Sequence, residues 1–287
     1  MQLERRTRAE VFGGGGGGVS IAAGRVVVAE PVPPHVHDFL ELALVTAGRA
    51  RHRTADGSTG VTAGDLVAVR PGAWHAYQLG TAGAPFEVTN VYLGPEVVHG
   101  QLAWLMDYPR LARLLLVGGR LSAPLPAASL HRVGGWLAQL ADEQDQPDAV
   151  LNGGLLGCAL VEISRAEARQ QPVAPPPVSR PVREALQVMT ADLARAWTVT
   201  ELAGRVGLSS SSLYRQFRSQ LGAGPVEWLT RSRAEAAATL LVQTNLPVAA
   251  VGRRVGWPDP SYASRRFAQV YATTPSAYRA AHAGRGR

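Results

Sequence analysis

Two stretches near the end of this sequence repeat one another, and no other feature narrows the fold as far. The first, LAGRVGLSSSSLYRQFRSQLGAGPVEWL, runs from Leu202 to Leu229; the second, VGRRVGWPDPSYASRRFAQVYATTPSAYR, runs from Val251 to Arg279. Gly207 matches Gly256 at an offset of 49, whereas Arg215, Phe217 and Pro225 match Arg265, Phe267 and Pro275 at 50. The second copy therefore carries one more residue in its turn. Self-similarity of this kind names an architectural unit, here a short helix, a turn at glycine and a second helix. Thr198 to Glu201 predicts a capping box, in which Thr198 accepts from the backbone three residues on and Glu201 reaches back. Gly207 falls where a left-handed helix end needs a residue without Cβ. Ser209 caps the next helix, whose Leu213 and Phe217 make a buried stripe at i, i+4. In the second copy Asp259 takes the cap and Pro260 the first helical position, where a missing N–H costs nothing. Phe267 repeats the stripe. Arg215 and Arg265 each lie six residues after their caps, on the face opposite.

The paired motifs, the connecting GPVEWLTRSRAEAAATLL and the closing TPSAYR resemble the DNA-binding domain of AraC/XylS-type transcription regulators, over about residues 182–281. The resemblance implies a DNA-binding transcription regulator, an effector-responsive activator. Its partners would be double-stranded DNA, a small-molecule effector, RNA polymerase and a second copy of itself in a homodimer. Charge agrees. Residues 1–180 hold 15 arginines against 16 acidic residues, a net −1; residues 181–287 hold 14 against 6, a net +8, which together recover the chain's +7. Positive charge concentrated on the repeat suits a polyanion-binding module. Every basic residue is arginine, which reads as a compositional bias. Cys158 is the single cysteine, so neither an intramolecular disulfide nor a multi-cysteine zinc site can form. No apolar run of about 18 residues is expected to cross a membrane. The basic start MQLERRTRAEVF lacks the apolar core of a signal peptide, so the expected location is cytoplasmic.

Gly13 to Gly18 is a glycine run, read as a flexible loop behind an N-terminal arm; no GK[ST] follows to make it a phosphate cradle. From Arg25 to Leu93, valine-rich segments such as RVVVAE, FLELALV, DLVAVR and FEVTNVYL are separated by turn signals including Asp56-Gly57 and Pro71-Gly72. That pattern predicts a small β-barrel or sandwich. HVHDFLELALVTAGRARHR followed by GDLVAVRPGAWH, within Pro33 to Tyr92, resembles cupins and the effector-binding domain at the N-terminus of the same regulator family. Helix follows. Leu102, Leu105 and Met106 open it; Leu130, Val133, Leu137 and Leu140 keep helical spacing; Leu151, Leu155, Cys158 and Glu162 line a second helix beyond Gln146-Pro147-Asp148. The resemblance implies that this antiparallel pair packs on the barrel and forms the dimer contact; a pair that merely covers the barrel explains the pattern equally. QPVAPPPVSRP, Gln171 to Pro181, reads as an extended linker. The expected fold is α+β in two domains: a cupin-like β-barrel with a helical pair over 1–170, a Pro-rich linker over 171–180, and an all-α double helix-turn-helix domain over 181–287.

On one strand, side chains alternate faces, so His35, His37 and Glu41 are expected to point the same way, into the barrel, with His75 on a later strand. Three imidazoles and a carboxylate could hold a first-row metal with positions left open for substrate. By the cupin resemblance these are the ligand positions of metal-dependent enzymes, and a dioxygenase or isomerase with an accessory DNA-binding domain is the competing function. Fusion to a DNA-binding domain favours a sensor, which needs selective binding and not turnover. The reading here is therefore a non-enzyme with no metal and no cofactor. Its effector pocket would be lined by His35, His37, Phe39, Glu41, Trp74, His75 and Tyr77. Phe39, Trp74 and Tyr77 suit a barrel core equally well. Arg49, Arg51 and Arg53 alternate on one strand face, either solvated or holding an anionic effector.

For DNA, Arg215 and Arg265 are expected to read bases, because a guanidinium bonds guanine O6 and N7 together. The family resemblance adds Ser211, Tyr214, Ser261 and Ser264 as base-facing neighbours, with Ser210 at the start of the first recognition helix. Arg218, Arg231 and Arg266 are expected to contact phosphates. The helices near Ser210–Leu221 and Pro260–Tyr271 would enter successive major-groove segments about 34 Å apart, with the helix near Pro225–Leu241 setting the separation. Ala263, in place of a bulkier core residue, is expected to loosen the second motif.

Overall fold

Valine-rich segments become the strands β2 (Ile21–Val28), β4 (Leu40–Ala47), β7 (Leu66–Val69) and β9 (Phe86–Leu93) of the computed structural model, and a two-residue strand β10 (Gly119–Arg120) completes their sheet in the order β10-β7-β4-β9-β2. A second sheet contains β1 (Glu4–Arg6), β3 (Val32–His37), β5 (Arg49–Thr54), β6 (Gly57–Thr62) and β8 (Trp74–Leu79), in the order β1-β3-β8-β5-β6. Among the described residues only β1 and β3 pair in parallel. The structure describes residues 4–6, 11, 21–37, 39–80, 85–94, 97, 104–105, 108–143, 148–171, 178–271 and 273–283, and the chain divides into units Met1–Pro175 and Pro176–Arg287. The glycine run at 13–18, Leu102, Met106, the Gln146-Pro147 break and linker residues 172–177 lie outside the described residues.

The expected barrel is not closed. Two hydrogen-bonded ladders remain separate and press their inner faces together, as in a cupin-like sandwich. Their shared core holds Val28, Ala43, Val45, Val67, Val69, Tyr77 and Phe86. Strand β5 shows the pleat directly: Arg49, Arg51 and Arg53 are exposed while Ala50 and His52 are buried.

Among the described residues three helices follow: α1 (Pro109–Val117), α2 (Ala127–Asp142) and α3 (Ala149–Gln170). Helix α2 buries Val133, Leu137 and Leu140 as the spacing predicts, with Leu130 half-buried. Helix α3 departs from expectation. Leu155 and Glu162 are buried, but Leu151 and Cys158 are exposed, and Asn152, Leu156, Ala159, Leu160 and Ile163 take the inner face. This helix is apolar at most positions, so periodicity leaves its buried face undecided and packing on α2 chooses. The same composition makes α3 long and apolar enough to cross a membrane by length and composition, contrary to expectation; under half of that stretch is buried. Glu162 bridges the pair, accepting from Arg132 at 2.5 Å, Ser129 at 2.8 Å and Arg169 at 3.0 Å. The Arg132 guanidinium, then the Ser129 hydroxyl, hold its carboxyl down at about 2.

The second unit is helical throughout: α4 (Arg180–Ala191), α5 (Val199–Arg205), α6 (Ser210–Leu221), α7 (Pro225–Gln243), α8 (Val248–Arg254), α9 (Pro260–Tyr271) and α10 (Pro275–Ala283). Each motif is an α5–α6 or α8–α9 pair. The Thr198 hydroxyl accepts from Glu201 N at 3.1 Å, but the box is not reciprocated as expected: the Glu201 carboxylate turns to Arg195 and, at 3.9 Å, to Arg205. Ser209 and Asp259 cap the recognition helices through Ser212 N at 3.2 Å and Tyr262 N at 2.6 Å. Gly207 and Gly256 have φ of 69° and 83°, the left-handed turn both copies need. Leu213, Phe217 and Leu221 face inward on α6; Ala263, Phe267 and Tyr271 do so on α9.

Candidate functional site

The histidine cluster is assembled by both sheets. His35 and His37 end β3, and the chain then crosses to the other sheet, so Glu41 lies on β4 and not on the same strand. Alternation along one strand does not carry across that crossing; the two inner faces bring the groups together. Gly72 N donates to His37 O at 2.8 Å, fastening the Pro-Gly turn to the end of β3. His75 then pairs with His35 across β3 and β8. Glu41 Oε2 lies 3.3 Å from His37 Nε2 and 3.7 Å from His75 Nε2. His35, His37, Glu41 and His75 are all buried.

The imidazoles have fixed orientations. His35 Nδ1 lies 3.0 Å from Pro33 O, and His37 Nδ1 lies 2.7 Å from Phe39 O. A carbonyl only accepts, so each Nδ1 donates and Nε2 is the ring nitrogen left for another partner. His37 Nε2 thus faces a Glu41 carboxylate oxygen, and the contact is an ion pair when that ring is protonated. His35, Glu41 and His75 each offer a ligand atom, all within 4.8 Å of one another. That is slightly wider than two ligands span on one first-row ion at bonds of about 2 Å. Small rotamer shifts would seat a divalent cation, which would supply a Lewis acid with open positions.

Around the cluster, Phe39 stacks on His37 with ring centres 4.6 Å apart, and Tyr77 is buried beside His52 and His75. Burial, and next the Glu41 charge, raise the Tyr77 hydroxyl well above its usual range. Trp74 does not join. It pairs with Val36, one residue along from His35 and His75, so it occupies the other face of the sheet. His52, which no sequence motif singles out, joins the cluster, its Nε2 3.2 Å from His75 Nδ1. Burial, then the nearby His35, lower its pKa to about 4. The signal was present: alternation that puts Arg51 and Arg53 outside must put His52 inside. A shallow groove of about 590 Å³ lies elsewhere, on α2–α3, lined by Trp104, Trp136, Gly157, Cys158 and Val161 among others.

The second candidate surface is the outer face of α6 and α9. At 100° per residue, Ser211, Tyr214, Arg215 and Arg218 share one face of α6, and Ser261, Ser264 and Arg265 the matching face of α9. Ser211, Tyr214, Arg215, Ser261 and Arg265 are exposed; Ser210, Ser264 and Arg231 are half-buried. Arg215 donates weakly to Ser212 Oγ at 3.4 Å. Arg218 donates to Gly222 O at 3.2 Å and Glu227 at 3.3 Å, so one carboxylate already neutralises it. Arg266 stands to one side, stacked on Tyr262 at 5.0 Å and bonded to Gln269. The position matching Arg218 is Ala268. Tyr262, which no motif singles out, is also exposed on α9.

A sequence model of the AraC-like ligand-binding domain matches residues 29–150, and one of the helix-turn-helix domain matches residues 202–281. The chain belongs to the AraC family. The arabinose operon regulatory protein of Escherichia coli K12 is 38% identical over 130 residues, 44% of this chain and 44% of that protein. The transcriptional activator RhaR of Mannheimia succiniciproducens is 24% identical over 252 residues, 87% of each chain. The chain matches between 32% and 48% of the length of the first curated relatives. ToxT from Vibrio cholerae shares the fold, with TM-score 0.56, at 11% identity, across 93% of this chain and 100% of that one. The histidine cluster lies within the first matched region, and α6 and α9 lie within the second.

Proposed function

We propose that this chain is an effector-responsive regulator of transcription, an activator that works as a cytoplasmic homodimer and contacts RNA polymerase. The observation that carries the proposal is the equivalent, exposed placement of Arg215 and Arg265 on the capped helices α6 and α9, within a segment of net charge +8. Residues 181–287 would form the DNA-binding domain, 171–180 the linker and 1–170 the effector and dimerisation domain. Helices α6 and α9 would enter successive major-groove segments. Arg215 and Arg265 would read guanine, with Ser210, Ser211, Tyr214, Ser261 and Ser264 beside them, while Arg218, Arg231 and Arg266 would hold phosphates. ToxT has been crystallised with an unsaturated fatty acid and with a naphthalenyl butenoic acid. A small molecule in the N-terminal unit of this chain, among His35, His37, Phe39, Glu41, His75 and Tyr77, is the corresponding reading. The exposed Val150, Leu151 and Cys158 of α3 suit a dimer contact.

The test is selection of duplexes from a random pool by the full chain, followed by binding in a salt series. A consensus of two segments is expected. Affinity should fall with salt at a log–log slope of about −0.9 per phosphate neutralised. Recovery of no consensus, with weak and uniform binding, would overturn the reading. The clustering of His35, Glu41 and His75 favours a second reading, a metal-dependent cupin enzyme. Metal analysis with a turnover screen separates them: one tightly held transition metal per chain, with turnover lost in Glu41→Ala, would establish the enzyme.

A further inference from the structure

Helix α7 joins the two motifs across short turns at 222–224 and 244–247, and its second half belongs to the core of the second motif, where Ala234, Ala237, Ala238 and Leu241 cluster with Val251, Trp257 and Phe267. Its 19 residues reach about 28 Å. Midway along it stands Arg233, half-buried. Its Nε donates to Leu193 O at 2.7 Å and one Nη donates to Arg195 O at 2.6 Å. Those carbonyls belong to the turn that leads into the first motif. That turn is itself fastened to α5: Arg195 pairs with Glu201, Trp197 Nε1 donates to Asp192 O at 2.8 Å, and the guanidiniums of Arg195 and Arg205 lie over the Trp197 ring at 4.4 and 5.1 Å.

The other side of Arg233 faces the second motif. A Cβ added to Gly256, the turn glycine between α8 and α9, would come within 2.6 Å of Ala194 O and 2.8 Å of an Arg233 Nη. The turn of the second motif therefore presses on the lead-in to the first, with Arg233 wedged beside both. Tyr262 of α9 and Asp192 are within electrostatic reach of the guanidinium, and both oppose the lowering that burial imposes on it. One guanidinium thus touches the approach to α5–α6 and the turn of α8–α9. A lysine ammonium is a point charge and lacks the planar fork that meets two carbonyls at once.

We propose that Arg233 is the positioning residue that sets the relative placement of α6 and α9, and so the spacing between the two base-pair segments the chain accepts. The proposal rests on the DNA-binding reading of this unit. It places Arg233 off the DNA, acting through the 193–195 turn and Gly256.

The experiment uses the full chain and three sets of duplexes: the two-segment sequence selected by the unaltered protein, the same sequence with one or two base pairs inserted or removed between segments, and the sequence with either segment randomised. Arg233→Met should bind single-segment duplexes within about twofold of the unaltered protein. It should bind the two-segment duplex about tenfold more weakly, because two charge-assisted hydrogen bonds are lost. Above all, its preference among spacings should flatten. Arg233→Lys should fall between. Should Arg233→Met fail to fold by circular dichroism, Gly256→Ala attacks the same junction from the other side and should also flatten the spacing preference with Arg233 intact. An unchanged spacing preference in the folded variants, or a uniform loss on every duplex in step with thermal stability, overturns the proposal. If the unaltered protein selects no consensus, the DNA-binding reading falls, and the inference with it.

Discussion

The two helix-turn-helix motifs follow one plan with two different interiors. Leu208 N bonds Ala203 O in the first, and Trp257 N bonds Gly252 O in the second, so these residues are true equivalents. Leu208 and Leu213 in the first become Trp257 and Ala263 in the second. Ala203 becomes Gly252, where an added Cβ would meet Trp257 O at 2.9 Å and Ala263 Cβ at 3.4 Å. Helices α8 and α9 thus approach closely, and Trp257 is buried in the same cluster as Ala263, Phe267, Tyr271 and Tyr278. The bulk that Ala263 lacks is supplied from the turn by Trp257. Leu208 is half-buried where Trp257 is buried, so burial shifts between the copies while volume is kept across the pair of positions, as close packing requires.

Changing volume should break that comparison most. Trp257→Leu should cost about 2–4 kcal/mol in urea unfolding, and Ala263→Leu alone about 1–3 kcal/mol through overpacking. Combined, they should cost less than their sum by more than about 1 kcal/mol. Additive losses would mean the two sites share no space. Next are the turn glycines. Both have positive φ, so Gly207→Ala should cost about 1–2 kcal/mol. Gly256→Ala should cost clearly more, because its Cβ also meets backbone; equal thermal shifts would contradict that contact.

On DNA, Arg215→Ala and Arg265→Ala should each relax preference at one or two base pairs, by about 1–3 kcal/mol per pair. Arg218→Ala should weaken all sequences alike, and only modestly, since Glu227 already neutralises that arginine. A uniform loss for Arg215→Ala would make it a phosphate contact. Caps come next: Ser209→Ala and Asp259→Ala should cost about 0.5–2 kcal/mol, the charged and shorter Asp259 cap more. Acid gives the smallest effect and marks the other unit. The Glu162 carboxyl is depressed in the folded state, so its stabilisation is present above its ordinary pKa of 4.5 and fades as pH falls toward about 2. Glu162→Gln should flatten that limb of an acid titration followed by tryptophan fluorescence; an unaltered limb would assign it to other groups.

What could be read from the residues depended on how local the determining interaction was. Caps at Ser209 and Asp259, left-handed glycines at 207 and 256, and the Phe217 and Phe267 stripes need only a few neighbours, and the structure has all of them. On α3 the expected stripe is half right, with Leu155 and Glu162 buried but Leu151 and Cys158 exposed, because a helix apolar at most positions gives periodicity little contrast to detect. Glu201 left its expected cap because Arg195, six residues earlier, offered a stronger partner. Trp74 was placed by register, which no single strand contains.

The sequence by itself determined the double motif, its segregated positive charge and a valine-rich β unit, since each is written in spacing or composition. Tertiary structure alone decided that the ladders stay as two sheets, that Glu41 meets His37 and His75 from the opposite sheet, and that Arg233 joins two turns distant in sequence. Those outcomes depend on which surfaces come face to face, and that is set by the packing of the whole chain rather than by any short run of residues.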